Sequence, residues 1–189
     1  MKAIAGLLVD MDGTLVDTAA ANYEAYADAL GEVGVKTSRS EFDRVATGRN
    51  WRQFLPAFLA EVPNVDPAGV AGRKAEIYPT KLALTRVNEA LVSLIRSARP
   101  QWRTALVTTA SAANVAAILD HHRLGPLFDT IVTGTDVSRH KPDPEAYFVA
   151  AARLGIQPGE CLVVEDSDIG VQSAESFGAL CLRISFDAA

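Results

Sequence analysis

The chain is poor in the residues that mark several function classes. It has two cysteines, Cys161 and Cys181, and three histidines in 189 residues. The cysteines form no CxxC pair and the histidines have no metal-ligand spacing, so neither a zinc centre nor a disulfide framework organises this sequence. Both thiols sit in apolar, strand-like runs. Buried thiols suit a reducing compartment, and a cytoplasmic protein is expected. No run reaches the roughly 18 apolar residues of a membrane span. The apolar stretch from Ala3 to Val9 is stopped by Asp10, too short and too soon acidic for a signal peptide. A basic surplus is missing too: 18 Lys and Arg stand against 23 Asp and Glu, a net charge of −5. Without a Lys/Arg cluster, neither nucleic acid nor an anionic membrane surface is expected as a partner. A small anionic substrate stays open, because a few local cations serve it.

What is present describes an ordinary globular chain. Apolar residues make up 49% and charged residues 22%, enough for one packed core with a modest insertion. Five short runs are apolar on both faces: Ile4–Val9, Thr104–Val107, Thr130–Val132, Cys161–Glu165 and Leu180–Ile184. That pattern suits a parallel sheet covered on both sides. Helical segments separate the last four, at Ala113–His122, Pro144–Leu154 and Ile169–Phe177. The series predicts a doubly wound α/β core of Rossmann-like form.

The first connection breaks the rhythm, with roughly 90 residues between Val9 and Thr104 where a crossover needs about a dozen. Val87, Leu91, Leu94, Ile95 and Ala98 share one helical face, so Val87 to Ala98 is the expected crossover helix. Between Thr18 and Arg86 there is no strand-like run. Three apolar stripes read as helices: Tyr23, Tyr26, Ala27, Leu30 and Val33; Phe54, Phe58 and Leu59; and Ile77, Lys81 and Leu84. The expected division is a core of residues 1–17 and 87–189 with a helical cap of residues 18–86. Ligands of open α/β sheets bind beyond the carboxyl ends of the strands, where this insertion emerges.

Four strand ends carry chemistry. The first reads Asp10-Met11-Asp12-Gly13-Thr14-Leu15-Val16-Asp17, and two such close carboxylates repel unless a cation or shared proton intervenes. The second reads Val107-Thr108-Thr109-Ala110-Ser111, whose hydroxyls and following N–H groups suit a phosphate. Its competing reading is that Ser111 simply caps the next helix. The third places Lys141 before Pro142-Asp143-Pro144, with Asp143 expected at N-cap and Pro144 at N1. The fourth follows Val164 with Glu165-Asp166-Ser167-Asp168. Asp168 is expected to cap the helix from Ile169, while Glu165 and Asp166 are free to ligate a hard cation such as Mg²⁺.

In this order the four ends resemble the haloacid dehalogenase-like hydrolase superfamily over nearly the whole chain. The insertion is similar to that family's cap after strand one. Lys141-Pro-Asp-Pro-Glu and Glu165-Asp166-Ser167-x-x-Gly170 look like the beta-phosphoglucomutase-like and sugar-phosphate phosphatase branch. The resemblance implies Asp10 as nucleophile, Asp12 as acid/base partner, and Thr108 and Lys141 as catalytic supports. It implies Mg²⁺ held by Asp10, the Asp12 carbonyl and Asp166, with Glu165 reaching it through water or from behind. Thr108, Thr109 and the N–H of Met11 would grip the transferred phosphoryl group. An Asp at position 12 favours phosphate esters over dehalogenation.

Substrate choice is assigned to the cap, with Gly48-Arg49 and Arg73-Lys74 as candidate contacts; the competing reading is exposed cations. Tyr23 and Trp51 read as cap core, and His121, His122 and His140 as structural or solvated. The expected activity is hydrolysis of a small phosphorylated metabolite by a monomer. A phosphomutase is the alternative, weakened because Ala20-Ala21-Asn22-Tyr23 lacks the His of mutase relatives. A non-catalytic binding protein on the same fold is the third reading.

Overall fold

The computed structural model describes residues 3–46 and 49–186. Its main sheet holds five parallel strands: β1 (Gly6–Val9), β4 (Arg103–Val107), β5 (Thr130–Val132), β6 (Cys161–Glu165) and β7 (Leu180–Arg183). Two short strands, β2 (Val16–Asp17) and β3 (Arg86–Val87), form a separate antiparallel pair. The sheet order is β5-β4-β1-β6-β7. The chain winds outward from β1 to β4 and β5, then returns to β6 on the other side. This reversal beside β1 is where an open α/β sheet forms its ligand crevice.

Register makes the crevice chemical. Val9 lies opposite Leu106 on one side and Val164 on the other. Asp10 is therefore level with Val107 and Glu165, and Thr108 stands one residue further out. Beneath them Leu7, Leu8, Val9, Leu106, Val107 and Val164 are all fully buried. Helix α7 (Glu145–Leu154) packs across β4, β5 and β1, and α8 (Asp168–Phe177) packs beside it on β6 and β7. Strand β7 departs from the expected two-sided burial. Leu180 and Leu182 are exposed, because β7 is the sheet edge and only Cys181, facing the other way, joins the core.

The helix starts differ from expectation by one or two residues, and two of the shifts have a visible cause. The crossover helix α5 spans Glu89–Ala98. The Asn88 side chain accepts from the Leu91 N–H and ends the non-helical stretch, which leaves Val87 to pair with Val16. The buried face of α5 is Leu91, Val92, Ile95 and Ala98, and Leu94 lies outside it. Helix α8 starts at Asp168 itself, because the Ser167 hydroxyl accepts from the Gly170 N–H and takes the N-cap. Asp168 pairs instead with Arg183 at 2.6 Å. The Ser111 cap of α6 (Ala112–His122) is present, with its hydroxyl accepting from the Asn114 N–H.

The chain forms two compact units, one running to Asp17 and from Arg86 onward, the other Thr18–Thr85. The second contains α1 (Ala19–Glu32), α2 (Arg39–Ala46), α3 (Trp51–Phe58), α4 (Pro67–Ile77) and a 3₁₀ segment over Tyr78–Leu84. Its core is aromatic. Tyr23, Tyr26, Phe42, Phe54 and Phe58 meet with ring centroids 5.0 to 6.3 Å apart. The most buried face of α1 is Ala21, Ala25 and Ala29 with Leu30, small side chains that let α1 pack on α4. The half-buried tyrosines flank that face. The stripe Ile77, Lys81, Leu84 fails because Tyr78–Leu84 is 3₁₀, where a 3.6-residue period does not apply. Leu84 is accordingly exposed, and Lys81 pairs with Asp28.

Candidate active site

Strand β1 hands its last ladder bond to Asp10, whose N–H reaches the Val164 carbonyl at 3.0 Å. The chain then turns sharply. The Met11 carbonyl accepts from the N–H groups of Thr14, Leu15 and Val16. Gly13 carries a φ of 83°, and a Cβ there would overlap the Asp166 carboxylate. The turn thus needs glycine twice over, for its left-handed backbone and for contact with β6. Thr14, which the sequence left without a role, donates its hydroxyl to Asp166 at 3.2 Å.

Lys141 arrives from the loop before α7. Helix α7 begins one residue later than expected, at Glu145 with Pro144 at N-cap, while an Asp143 carboxylate oxygen accepts from the Glu145 N–H. Glu145 in turn accepts from the N–H groups of Ser138 and Arg139, and the Ser173 hydroxyl of α8 donates to the Asp143 carbonyl. So braced, the loop delivers a buried ammonium. Lys141 Nζ donates to Asp10 Oδ1 at 2.6 Å, Glu165 Oε1 at 2.6 Å and the Val107 carbonyl at 3.0 Å. All three of its protons are committed.

Glu165 is fully buried. Its Oε1 also accepts from the Tyr147 hydroxyl, and its Oε2 accepts from the Asp166 N–H, the Ser167 N–H and the Ser167 hydroxyl. On the other side of the crevice, Thr108 donates its hydroxyl to Asp12 at 3.4 Å and accepts from the Ala110 N–H at 3.1 Å. Thr109 is exposed beside it. The Met11 side chain is fully buried, so any part it plays with substrate is through its backbone.

The electrostatics are those of a site short of positive charge. Burial raises the Asp10 pKa to about 7, with Glu165 and Asp12 adding to the rise, although Lys141 opposes it. Asp166 is raised as well, first by burial and then by Glu165. Burial pulls Lys141 down, yet Asp10, Tyr147 and Glu165 outweigh that and hold it well above the ordinary lysine range. One ammonium does not compensate this many carboxylates. Asp10, Glu165 and Asp166 each offer an oxygen, all within 4.8 Å of one another, and three hard oxygen donors suit a divalent cation of the magnesium type. Of the three, Glu165 already has both oxygens engaged by protein donors.

The candidate contacts of the helical unit behave differently. Arg49 is exposed, its guanidinium donating to the Val45 carbonyl at 2.9 Å, and Gly48 lies outside the described residues. Arg73 bridges Glu32 and Glu76. Lys74 is buried, with Nζ 2.7 Å from Asn22 Oδ1 and over the rings of Tyr78 and Tyr26 at 4.1 and 5.1 Å. Trp51 is half-buried, with Arg52 over its ring at 4.3 Å. His121 and His122 stack edge to face at the end of α6, and His140 is exposed. Both cysteines are free thiols, and burial pushes Cys161 up to about 11. Among the described residues, no helix is long and apolar enough to cross a membrane.

Comparison with known proteins agrees with this geometry. The haloacid dehalogenase-like hydrolase family profile matches residues 7–184. Fructose-1-phosphate phosphatase YqaB of Escherichia coli is 31% identical, over 92% of this chain and 93% of its own. Hexitol phosphatase A of the same organism is 31% identical, over 95% and 82%. Among solved structures, CbbY of Rhodobacter sphaeroides in complex with phosphate superposes with a TM-score of 0.81 at 27% identity, over 94% of this chain and 84% of that one. A buried aspartate at the end of the central strand, bridged to a lysine and flanked by two further acids, is thus set in a chain that belongs to the haloacid dehalogenase-like hydrolase family.

Proposed function

We propose that this protein is a Mg²⁺-dependent phosphatase that hydrolyses a small sugar or polyol phosphate through an aspartyl-phosphate on Asp10. The observation that carries the reading is the Lys141 ammonium held between Asp10 and Glu165, with Asp166, Asp12 and Thr108 at the same strand edge. The named activities of the two Escherichia coli relatives support the substrate class.

In the first half-reaction an Asp10 oxygen attacks phosphorus, and the bond to the ester oxygen breaks. Asp12 gives its proton to the departing alkoxide. In the second, Asp12 takes a proton from water, whose oxygen bonds to phosphorus as the aspartyl–phosphorus bond breaks. Phosphate leaves and both carboxyl groups return to their starting states. Thr108 holds Asp12 in place, and the N–H groups after it, with that of Met11, receive the phosphoryl oxygens. Lys141 offsets charge at Asp10 throughout. Asp10, Asp166 and the Asp12 carbonyl would hold Mg²⁺, with Glu165 behind them, and the ion supplies the positive charge that lets an ionised Asp10 meet an anionic phosphate. The helical unit is the proposed seat of selectivity, with Arg49 and Lys74 as its candidate substrate contacts.

The test is a panel of phosphorylated sugars and hexitols with Mg²⁺, scored for released phosphate and for isomers. Asp10→Asn is expected to abolish turnover while leaving circular dichroism unchanged. Wild-type turnover in that variant refutes the mechanism, and isomer formation outpacing phosphate release marks a phosphomutase instead.

A further inference from the structure

We infer that Tyr147 is a positioning residue for this reaction: its hydroxyl fixes the Glu165 carboxylate so that Lys141 is aimed at Asp10. The inference rests on the phosphatase reading above.

Tyr147 lies on the inner face of α7 and is fully buried. Its neighbours in the core include Leu8, Val107, Val132, Val163 and Phe177, all apolar. Packing alone asks only for a ring at this position. A buried hydroxyl must find an acceptor, and this one finds Glu165 Oε1 at 3.1 Å. The ring meanwhile lies 5.1 Å from Lys141 Nζ. One residue thus touches both members of the Lys141–Glu165 pair.

The consequence follows from a count of donors and acceptors. Lys141 has three protons and gives them to Asp10, Glu165 and the Val107 carbonyl. It has none spare. If Glu165 rotates, Lys141 must either follow it away from Asp10 or lose a charge-assisted bond inside the protein. Rotation is opposed on one side by the three donors on Oε2. It is opposed on another by α8, where Gly170 makes room: a Cβ there would overlap the Glu165 carboxyl group. Tyr147 closes the remaining side from α7. Its hydroxyl reaches no reacting atom, so its effect passes through Glu165 and Lys141.

The test is Tyr147→Phe, which keeps the ring and deletes the hydroxyl. Supporting groups behind a catalytic or metal-binding side chain typically cost 10–100-fold when removed, so kcat should fall about tenfold while KM stays within about twofold. Tm should stay within a few degrees, and a crystal structure of the variant should show the Glu165 carboxylate turned and the Lys141–Asp10 contact lengthened. A kcat within about twofold of wild type, or an unmoved Asp10–Lys141–Glu165 geometry, overturns the assignment. A kcat loss matched by a large drop in Tm makes the hydroxyl merely structural and overturns it as well. If the wild-type protein hydrolyses no phosphate ester, the functional reading fails instead, and the variant's crystal structure still decides whether Tyr147 holds the pair.

Discussion

Among the described residues each unit of this protein buries one lysine, and the two keep different partners. In the α/β unit, Lys141 is 8% exposed and sits between two carboxylates at 2.6 Å. In the helical unit, Lys74 is 7% exposed, and its partners include an amide oxygen and the faces of two tyrosines. Carboxylates cancel a cation's charge and lock it. An amide oxygen and aromatic rings hold a cation through a neutral acceptor and ring quadrupoles. The first arrangement ties stability to the charges of the candidate site, while the second rests at least in part on neutral partners.

The contrast is broken most directly at Lys141. Lys141→Ala leaves Asp10 and Glu165 facing each other without their cation, and removing one partner of a buried pair typically costs roughly 3–5 kcal/mol. Tm should fall further than in any other single variant here, and turnover by about a thousandfold or more, as expected when a main electrostatic support is lost. A variant as stable as wild type would show that the charges are not coupled to the fold. A middle-sized effect is expected from pH and metal. The folded pKa of Asp10 is raised from 3.8 to about 7, so the folded state keeps a proton that the unfolded chain releases between those values. Its contribution to stability is full below about pH 4 and is lost as pH rises through about 7. A cation that binds ionised Asp10 should counter this loss, so the Tm gain from Mg²⁺ should grow from pH 5 to pH 8, and chelation should remove it. A gain that is flat across this range would place the ion elsewhere. The smallest effect belongs to Lys74→Met, which keeps an apolar stem between Tyr26 and Tyr78 and removes the charge. Tm should drop by only a few degrees and kcat change by less than about threefold, with KM for the phosphorylated substrate raised severalfold. A loss of stability as large as that at Lys141 would erase the distinction between the two lysines.

Much of the α/β unit was legible because its physics is one-dimensional. A central parallel strand must be apolar on both faces, and β1, β4 and β6 show this as short unbroken runs. The carboxylates of the candidate site were legible because they cluster at the ends of such runs. What stayed hidden depends on partners distant in sequence. Nothing near Leu180 or Leu182 says that β7 is an edge. The two-residue strands β2 and β3 are too short for any periodicity. Ser167 and Asp168 are both good caps, and only the pairing of Asp168 with Arg183 shows why the serine takes the position. In the sequence Lys74 is a candidate contact whose competing reading is an exposed cation, and Tyr147 carries no reading. Asn22 and Glu165, which give them their meaning, lie 52 and 18 residues away. A tyrosine six residues beyond the site lysine, on the buried face of the next helix, was the available signal.

The β2–β3 pair has a consequence beyond its size. The chain leaves the sheet unit at Asp17 and re-enters at Arg86, and these two residues face each other, joined by an ion pair at 2.8 Å. To the α/β unit, the whole stretch between them is a graft on a hairpin stem. The entropy of closing such a loop grows only with the logarithm of its length, about 0.6 kcal/mol per doubling. A longer, shorter or differently folded graft on the same stem would leave the sheet almost as stable as before. By the loop-closure argument alone, the sheet tolerates exchange of the whole stretch as a single interchangeable part.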